Sequence, residues 1–322
     1  MNHLKQGERQ VLFDHDGSAD DFLSLILLLS MKHINVLGVS ITPADCFVEN
    51  ALETTLKILS LTGKSGLAVG TNDFNGINSF PAEWRAKPKI LNAFPCLINI
   101  DTSGIPTEEQ GSREMIAQKI LSADVPVTVL MTGPCSSLVQ AIEYDSKVLD
   151  KIEEVVWMAG AIDVAGNVRT YNHDNSAEWN VFWDPISSRK LLQYQLPLTM
   201  VPLDVTNNVP VTIDFLKNLA LQSSHFYSSL ASQFWAITID TIPSYEYTYF
   251  MWDVLATSYL AIPQAFTIEK VELEIVPKGA NAGQTFRKPG SNQWVNMATN
   301  VDKACFYDYL LNQFRNFQSD NR

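Results

Sequence analysis

Basic residues are scarce in this 322-residue chain: Lys and Arg number 23 against 35 Asp and Glu, a formal net charge of −12. A surface of that sign repels phosphate backbones and anionic lipid, so nucleic acid and membrane are excluded as main partners, and a polyphosphate substrate is disfavoured. Cysteine is scarce as well. Cys46, Cys96, Cys135 and Cys305 lie far apart with no C-x-x-C spacing. A disulfide framework is therefore not expected, and reduced thiols in a cytoplasmic protein are. Met1 to Gln10 is polar and has no apolar core, so no secretory leader is expected. The longest apolar stretch, Leu23 to Met31, carries serines and is too short to span a bilayer. No linker rich in Pro, Gly or Ser divides the chain, and no internal repeat is visible.

Apolar residues make up 46% of the chain, ample for a large core. Short β-branched runs alternate with helical patterns, which predicts a single α/β domain over residues 1–322 with a mainly parallel, Rossmann-like central sheet flanked by helices. Strands are expected at Val11–Asp14, Val36–Ile41, Leu67–Gly70, Val127–Met131, Val155–Met158, Leu198–Val201 and Val271–Val276. Helices are expected at Asp20–Met31, Val48–Leu61, Arg113–Leu121, Ser137–Tyr144, Ser187–Leu192, Ile213–Ala220, Tyr249–Ala261 and Val301–Phe314. Two long loops remain, Thr71–Asp101 and Gly160–Trp179, and loops of that length in a compact domain are usually functional.

The most informative segment is Asp14-His15-Asp16-Gly17-Ser18-Ala19-Asp20-Asp21, which follows the apolar run Val11–Phe13 and precedes Phe22–Leu29. It reads as a strand ending in a carboxylate cluster from which a helix departs. Open α/β sheets bind ligands at that end of their strands, and four adjacent carboxylates repel one another unless a cation or bound hydroxyls offset their charge. Helix capping accounts for Asp20 and Asp21 but not for Asp14 and Asp16. An EF-hand loop fails because its Gly would be Ala19 and its bidentate Glu would be Leu25. Phe13 to Ser18 also resembles the D-x-D-G-[ST] opening of haloacid-dehalogenase-like phosphatases. That family needs a later acidic pair, and Leu203-Asp204-Val205 offers one acid.

The D-x-D-x-x-x-D-D pattern at Asp14, Asp16, Asp20 and Asp21 resembles the signature of the nucleoside hydrolases, in a form similar to their purine-specific (inosine–adenosine–guanosine preferring) branch in trypanosomes. Further matching elements follow in order: Asp45, Glu83-Trp84, Thr132-Gly133-Pro134, Gly166-Asn167, Ala177-Glu178-Trp179-Asn180 and Trp252-Asp253.

The resemblance implies calcium held by Asp16, Asp21, Asp253 and the Thr132 carbonyl, with Asp16 also the general base. It implies that Asp20, Asn167, Glu178, Asn180 and Asp253 hold ribose, that Asp45 reads the base, and that Trp84 and Trp252 stack on it. Ser18, where the branch carries Asn, and Glu83 join the substrate-binding set. A purine ribonucleoside would be split to free base and ribose in purine salvage by a homodimer. The alternatives are a broad or pyrimidine-preferring hydrolase, the phosphatase, and a calcium-dependent nucleoside-binding module without turnover.

Overall fold

The computed structural model describes residues 8–80, 88–107, 111–238 and 248–318. β1 (Arg9–His15) lies between β2 (Ile34–Ile41) and β4 (Val127–Met131). β3 (Ala68–Thr71) continues the sheet beyond β2, while β5 (Ile152–Trp157) and β6 (Leu198–Met200) continue it beyond β4. All these neighbours are parallel. β9 (Trp294–Val301) pairs parallel with β6, and then β7 (Phe266–Ile275) and β8 (Thr285–Arg287) complete nine strands with antiparallel pairing. The chain winds first toward β3 and then restarts at β4 on the other side of β1. The carboxyl ends of β1 and β4 thus form the crevice where such sheets bind ligands.

Period-2 alternation in β1 builds two cores. Val11 and Phe13 join one apolar layer with Phe22, Leu25 and Ile26, while Leu12 joins the opposite layer with Met115, Ile116 and Val129. Each such buried side chain contributes about 1.5–3 kcal/mol relative to exposure. The Ala19–Ser30 helix is buried along nearly its whole length. It packs against helices Phe226–Thr238, Trp252–Ser258 and Lys303–Asn316, which explains why its sequence is apolar on every side.

The mainly parallel α/β architecture is as the sequence predicts, and the departures are local. The last helix begins at Lys303, not Val301, because Val301 completes β9 opposite Phe266, and Asp302 caps the helix by accepting from the Cys305 amide at 3.0 Å. The helix expected over Tyr249–Ala261 runs only Trp252–Ser258, since Phe250 bridges to Pro210. The Phe226–Thr238 helix and strands β8 and β9 were not anticipated. Among the described residues no helix is long and apolar enough to cross a membrane.

Candidate active site

β1 delivers Asp14 and, just beyond its end, Asp16. The Thr132 amide donates to the Asp14 carbonyl at 2.9 Å, which brings the end of β4 alongside. Gly133 makes the approach possible: a Cβ there would stand 2.8 Å from the Cβ of Asp16. Ser18 then caps the Ala19–Ser30 helix. Its hydroxyl accepts from the Asp21 amide, and its own amide donates to Asp21 Oδ2 at 2.7 Å, a reciprocal capping box. The capping explanation of the motif is therefore true of Asp21 and leaves Asp14, Asp16 and Asp20 to be explained.

Asp20 faces the far end of the chain. Its Oδ1 accepts from the Ser18 hydroxyl at 2.6 Å and from the Tyr249 hydroxyl, and its Oδ2 accepts from the Asp253 amide at 3.2 Å. The Ser18 hydroxyl also reaches Asp253 Oδ2 at 3.3 Å. Asp21 Oδ1 accepts from the Thr132 hydroxyl. Asp16, Asp20, Asp21 and Asp253 thus lie in one buried cluster, all at most 5% exposed.

A second group closes the cluster from the side of β5. Glu178 caps the short helix Trp179–Trp183, its carboxylate accepting from the amides of Asn180 at 2.8 Å, Gly160 at 3.0 Å and Val181 at 3.3 Å. Asn180 Nδ2 donates to the Thr132 carbonyl at 2.8 Å and the Met158 carbonyl at 3.0 Å, which joins this helix to the end of β4. Asn167 Oδ1 accepts from the Trp179 amide at 3.1 Å.

Burial, reinforced by the negative charge of Asp21 and then of Asp45, holds the Asp16 carboxyl well above the usual carboxylate range. Burial and the charge of Asp20 do the same for Asp253, and Asp20 is raised by burial and Asp21. Glu178 is pushed up to about 7 by burial, against the pull of the amides that donate to it. Among the described residues, no Lys or Arg forms an ion pair with Asp16, Asp20, Asp21 or Asp253. A buried group of carboxylates without a paired Lys or Arg among the described residues favours positive charge beside it, whether a cation or a cationic transition state.

The donors are all oxygens, the chemistry a hard cation such as calcium requires. Asp16, Asp21, Asp253 and the Thr132 carbonyl fit it in kind. Among the described residues, however, no three His, Cys, Asp or Glu side chains stand poised as a ready-made metal site. Asp21 turns to Ser18 and Thr132, while Asp253 turns to Ser18.

The remaining residues sort clearly. Asp45 is half-buried and close enough to Asp16 to raise its pKa. Trp252 packs edge-on to Tyr249 at 4.7 Å and near Phe250, beside Asp253. Glu83 and Trp84 lie outside the described residues. Asp14 is pushed up to about 7 by burial and joins a network below the cluster, where Thr42 donates to it at 3.3 Å and bonds Ser137 at 2.6 Å. His15 is buried between Phe13 and Phe22, and His173 ties its loop to the Ala282 carbonyl at 2.9 Å, so both are structural. Asp204, the acid offered for the phosphatase reading, accepts from the amides of Ile162 and Asp163 at 2.9 and 2.7 Å. Tyr249 was not anticipated. A tyrosine three residues before Trp252 carries no signal until the chain folds back on Asp20.

The site's relatives are consistent in kind. A profile of the family described as inosine-uridine preferring nucleoside hydrolase matches residues 11–308. The crystal structure of such an enzyme from Bacillus anthracis is 30% identical and superposes with a TM-score of 0.89, covering 95% of this chain and 99% of that one. A pyrimidine-specific ribonucleoside hydrolase from a Shewanella species is 26% identical over 208 residues, a match spanning 63% of this chain and 61% of that relative. A purine-preferring ribonucleoside hydrolase from Gardnerella vaginalis, 19% identical, shares the fold with a TM-score of 0.79 over 96% of this chain and 99% of that one.

Proposed function

The chain belongs to the inosine-uridine preferring nucleoside hydrolase family, and on that footing we propose that it hydrolyses the N-glycosidic bond of purine ribonucleosides, with calcium, to free base and ribose. The observation that carries the reading is the convergence of Asp16, Asp20 and Asp21 with Asp253 and Thr132 in one buried cluster that, among the described residues, no Lys or Arg pairs with.

Calcium, held by Asp16, Asp21, Asp253 and the Thr132 carbonyl, would supply a polarised water and a grip on the 2′- and 3′-hydroxyls. Asp16 is the base for the attacking water, and a bound cation would keep its carboxyl ionised for that role. Asp20, Asn167, Glu178, Asn180 and Asp253 hold the ribose hydroxyls. The surrounding carboxylates stabilise positive charge as it develops on the anomeric carbon. A site built to pair with the 2′-hydroxyl leaves buried groups unpaired against a 2′-deoxy substrate, so discrimination is strong.

The purine preference is supported by Trp252, which occupies the position before Asp253 where a histidine would offer a general acid. Stacking of the base on Trp252 and Trp84 raises the basicity of its ring nitrogen N7, because a protonated purine is a cation over π faces. Solvent then supplies the proton. In this reading Asp45, whose charge acts on Asp16, reads the base edge. The relatives' names support a second reading, a hydrolase that also takes pyrimidines. Initial rates on inosine and uridine, followed by released reducing sugar, separate the two: uridine turnover matching inosine removes the stacking account. We also propose, from family resemblance, a homodimer acting in the cytoplasm. Light scattering after size exclusion tests the dimer.

A further inference from the structure

We infer that Asn78, on the loop after β3, is a positioning residue for the helix Trp179–Trp183 and thereby for Glu178 and Asn180; its consequence for ribose rests on the function proposed above, whereas its geometry does not. The helix has five residues. Isolated helices shorter than roughly 12–15 residues are marginal, so this one must be held from outside. Glu178 holds the amino end by accepting from the Asn180 and Val181 amides.

The carboxyl end leaves carbonyls that no amide within the helix reaches. One residue takes two of them. Asn78 Nδ2 donates to the Phe182 carbonyl at 2.7 Å, and the Asn78 amide donates to the Trp183 carbonyl at 3.1 Å. The segment carrying Asn78 is fitted to the same helix. The Gly76 backbone lies against the Trp183 indole, where a Cβ would stand 2.3 Å from Cδ2. Phe74 packs on Trp183 at 5.7 Å, and Phe80 stacks on Trp179 at 4.3 Å with planes 22° apart.

Asn180, between the two clamps, is what they position. Its Nδ2 bonds to the Thr132 and Met158 carbonyls depend on where the helix sits. Without the Asn78 side chain the Phe182 carbonyl loses its donor while the Asn78 amide still holds Trp183, so the helix loosens at its carboxyl end and Asn180 shifts against the end of β4. Asn78 bonds none of the clustered acids and acts through the helix.

The experiment compares Asn78→Ala with Asn92→Ala. Asn92 is a buried control that accepts from Thr54 at 3.1 Å and donates to the Asn50 carbonyl at 3.3 Å, with no bond to this helix. Hydrogen–deuterium exchange at residues 179–183 is expected to rise about tenfold in Asn78→Ala, the equivalent of one lost hydrogen bond, and to stay at the wild-type rate in Asn92→Ala. Unchanged exchange in Asn78→Ala overturns the inference, whatever the protein does to nucleosides. The second readout is the ratio of kcat/KM on inosine to that on 2′-deoxyinosine. It is expected to fall several-fold in Asn78→Ala alone, whereas general destabilisation lowers both substrates together. Faster exchange with an unaltered ratio overturns the link to ribose. A wild-type protein that cleaves neither nucleoside sinks the proposed function, and the exchange result still decides the role of Asn78.

Discussion

Asp20 and Asp253 stand 233 positions apart in the chain, yet the amide of Asp253 donates to the carboxylate of Asp20 at 3.2 Å, and the Ser18 hydroxyl bonds both side chains. The first helix and the helix Trp252–Ser258 are thus tied together at the point where the buried acids meet. This joint carries Asp253 into the cluster begun at the end of β1.

Asp16 is assigned the water's proton and a share of the cation. Asp16→Asn keeps the side chain's size and removes the base. A kcat reduction of roughly 10²–10⁴-fold on inosine is expected, together with weaker calcium binding by titration calorimetry. Activity within a few-fold of wild type would remove Asp16 from the mechanism.

Tyr249 holds Asp20 through its hydroxyl. Tyr249→Phe deletes that donor and little else. A hydrogen bond to a charged group contributes about 1.5–3 kcal/mol, so kcat/KM on inosine should fall roughly 10- to 100-fold, with Tm lowered by only a few degrees. An unaltered kcat/KM would mean Asp20 needs no such support.

Trp252 is assigned to the base. In Trp252→Ala, kcat on inosine should fall more than KM rises, because stacking that stabilises the protonated purine acts in the transition state. A change confined to KM would mean the indole only binds.

His15 makes a separate prediction, about stability. It is packed between Phe13 and Phe22, and burial lowers its pKa to about 4. Between that value and the ordinary 6.5, the unfolded chain binds a proton that the native state does not, so stability falls as pH drops through this window, by about 3 kcal/mol in all. Asp14 and Glu178, both pushed up to about 7, act in the opposite sense and favour the native state at the acid end. The two contributions separate in His15→Gln, which does not titrate. Its Tm should decline less than that of wild type between pH 7 and pH 5, as followed by calorimetry. Parallel declines would contradict the assignment.

Much of this architecture was legible in the residues because its signals are local. Val127–Met131 is apolar but for Thr128, as suits a strand buried on both faces, and the acids after Phe13 stand where a parallel strand ends. Other elements have weaker local patterns or depend on distant partners. β9 interleaves Asn296, Thr299 and Asn300 among its apolar residues and becomes a strand by pairing with β6 and β7. The Phe226–Thr238 helix buries Tyr227, Leu230, Phe234 and Trp235, but the serines among them blunt the pattern. At the site, the motif brought Asp16, Asp20 and Asp21 into view, whereas Tyr249 and Asn78 act on carboxylates and carbonyls more than 100 positions away. No spacing rule reports such pairs.

In the proposed mechanism the buried acids hold a divalent cation that turnover requires. The direct test is the initial rate of inosine hydrolysis after stripping with EDTA and again after calcium is restored. Activity should be lost on stripping and return with calcium; full activity in the stripped protein would rule the cation out of turnover.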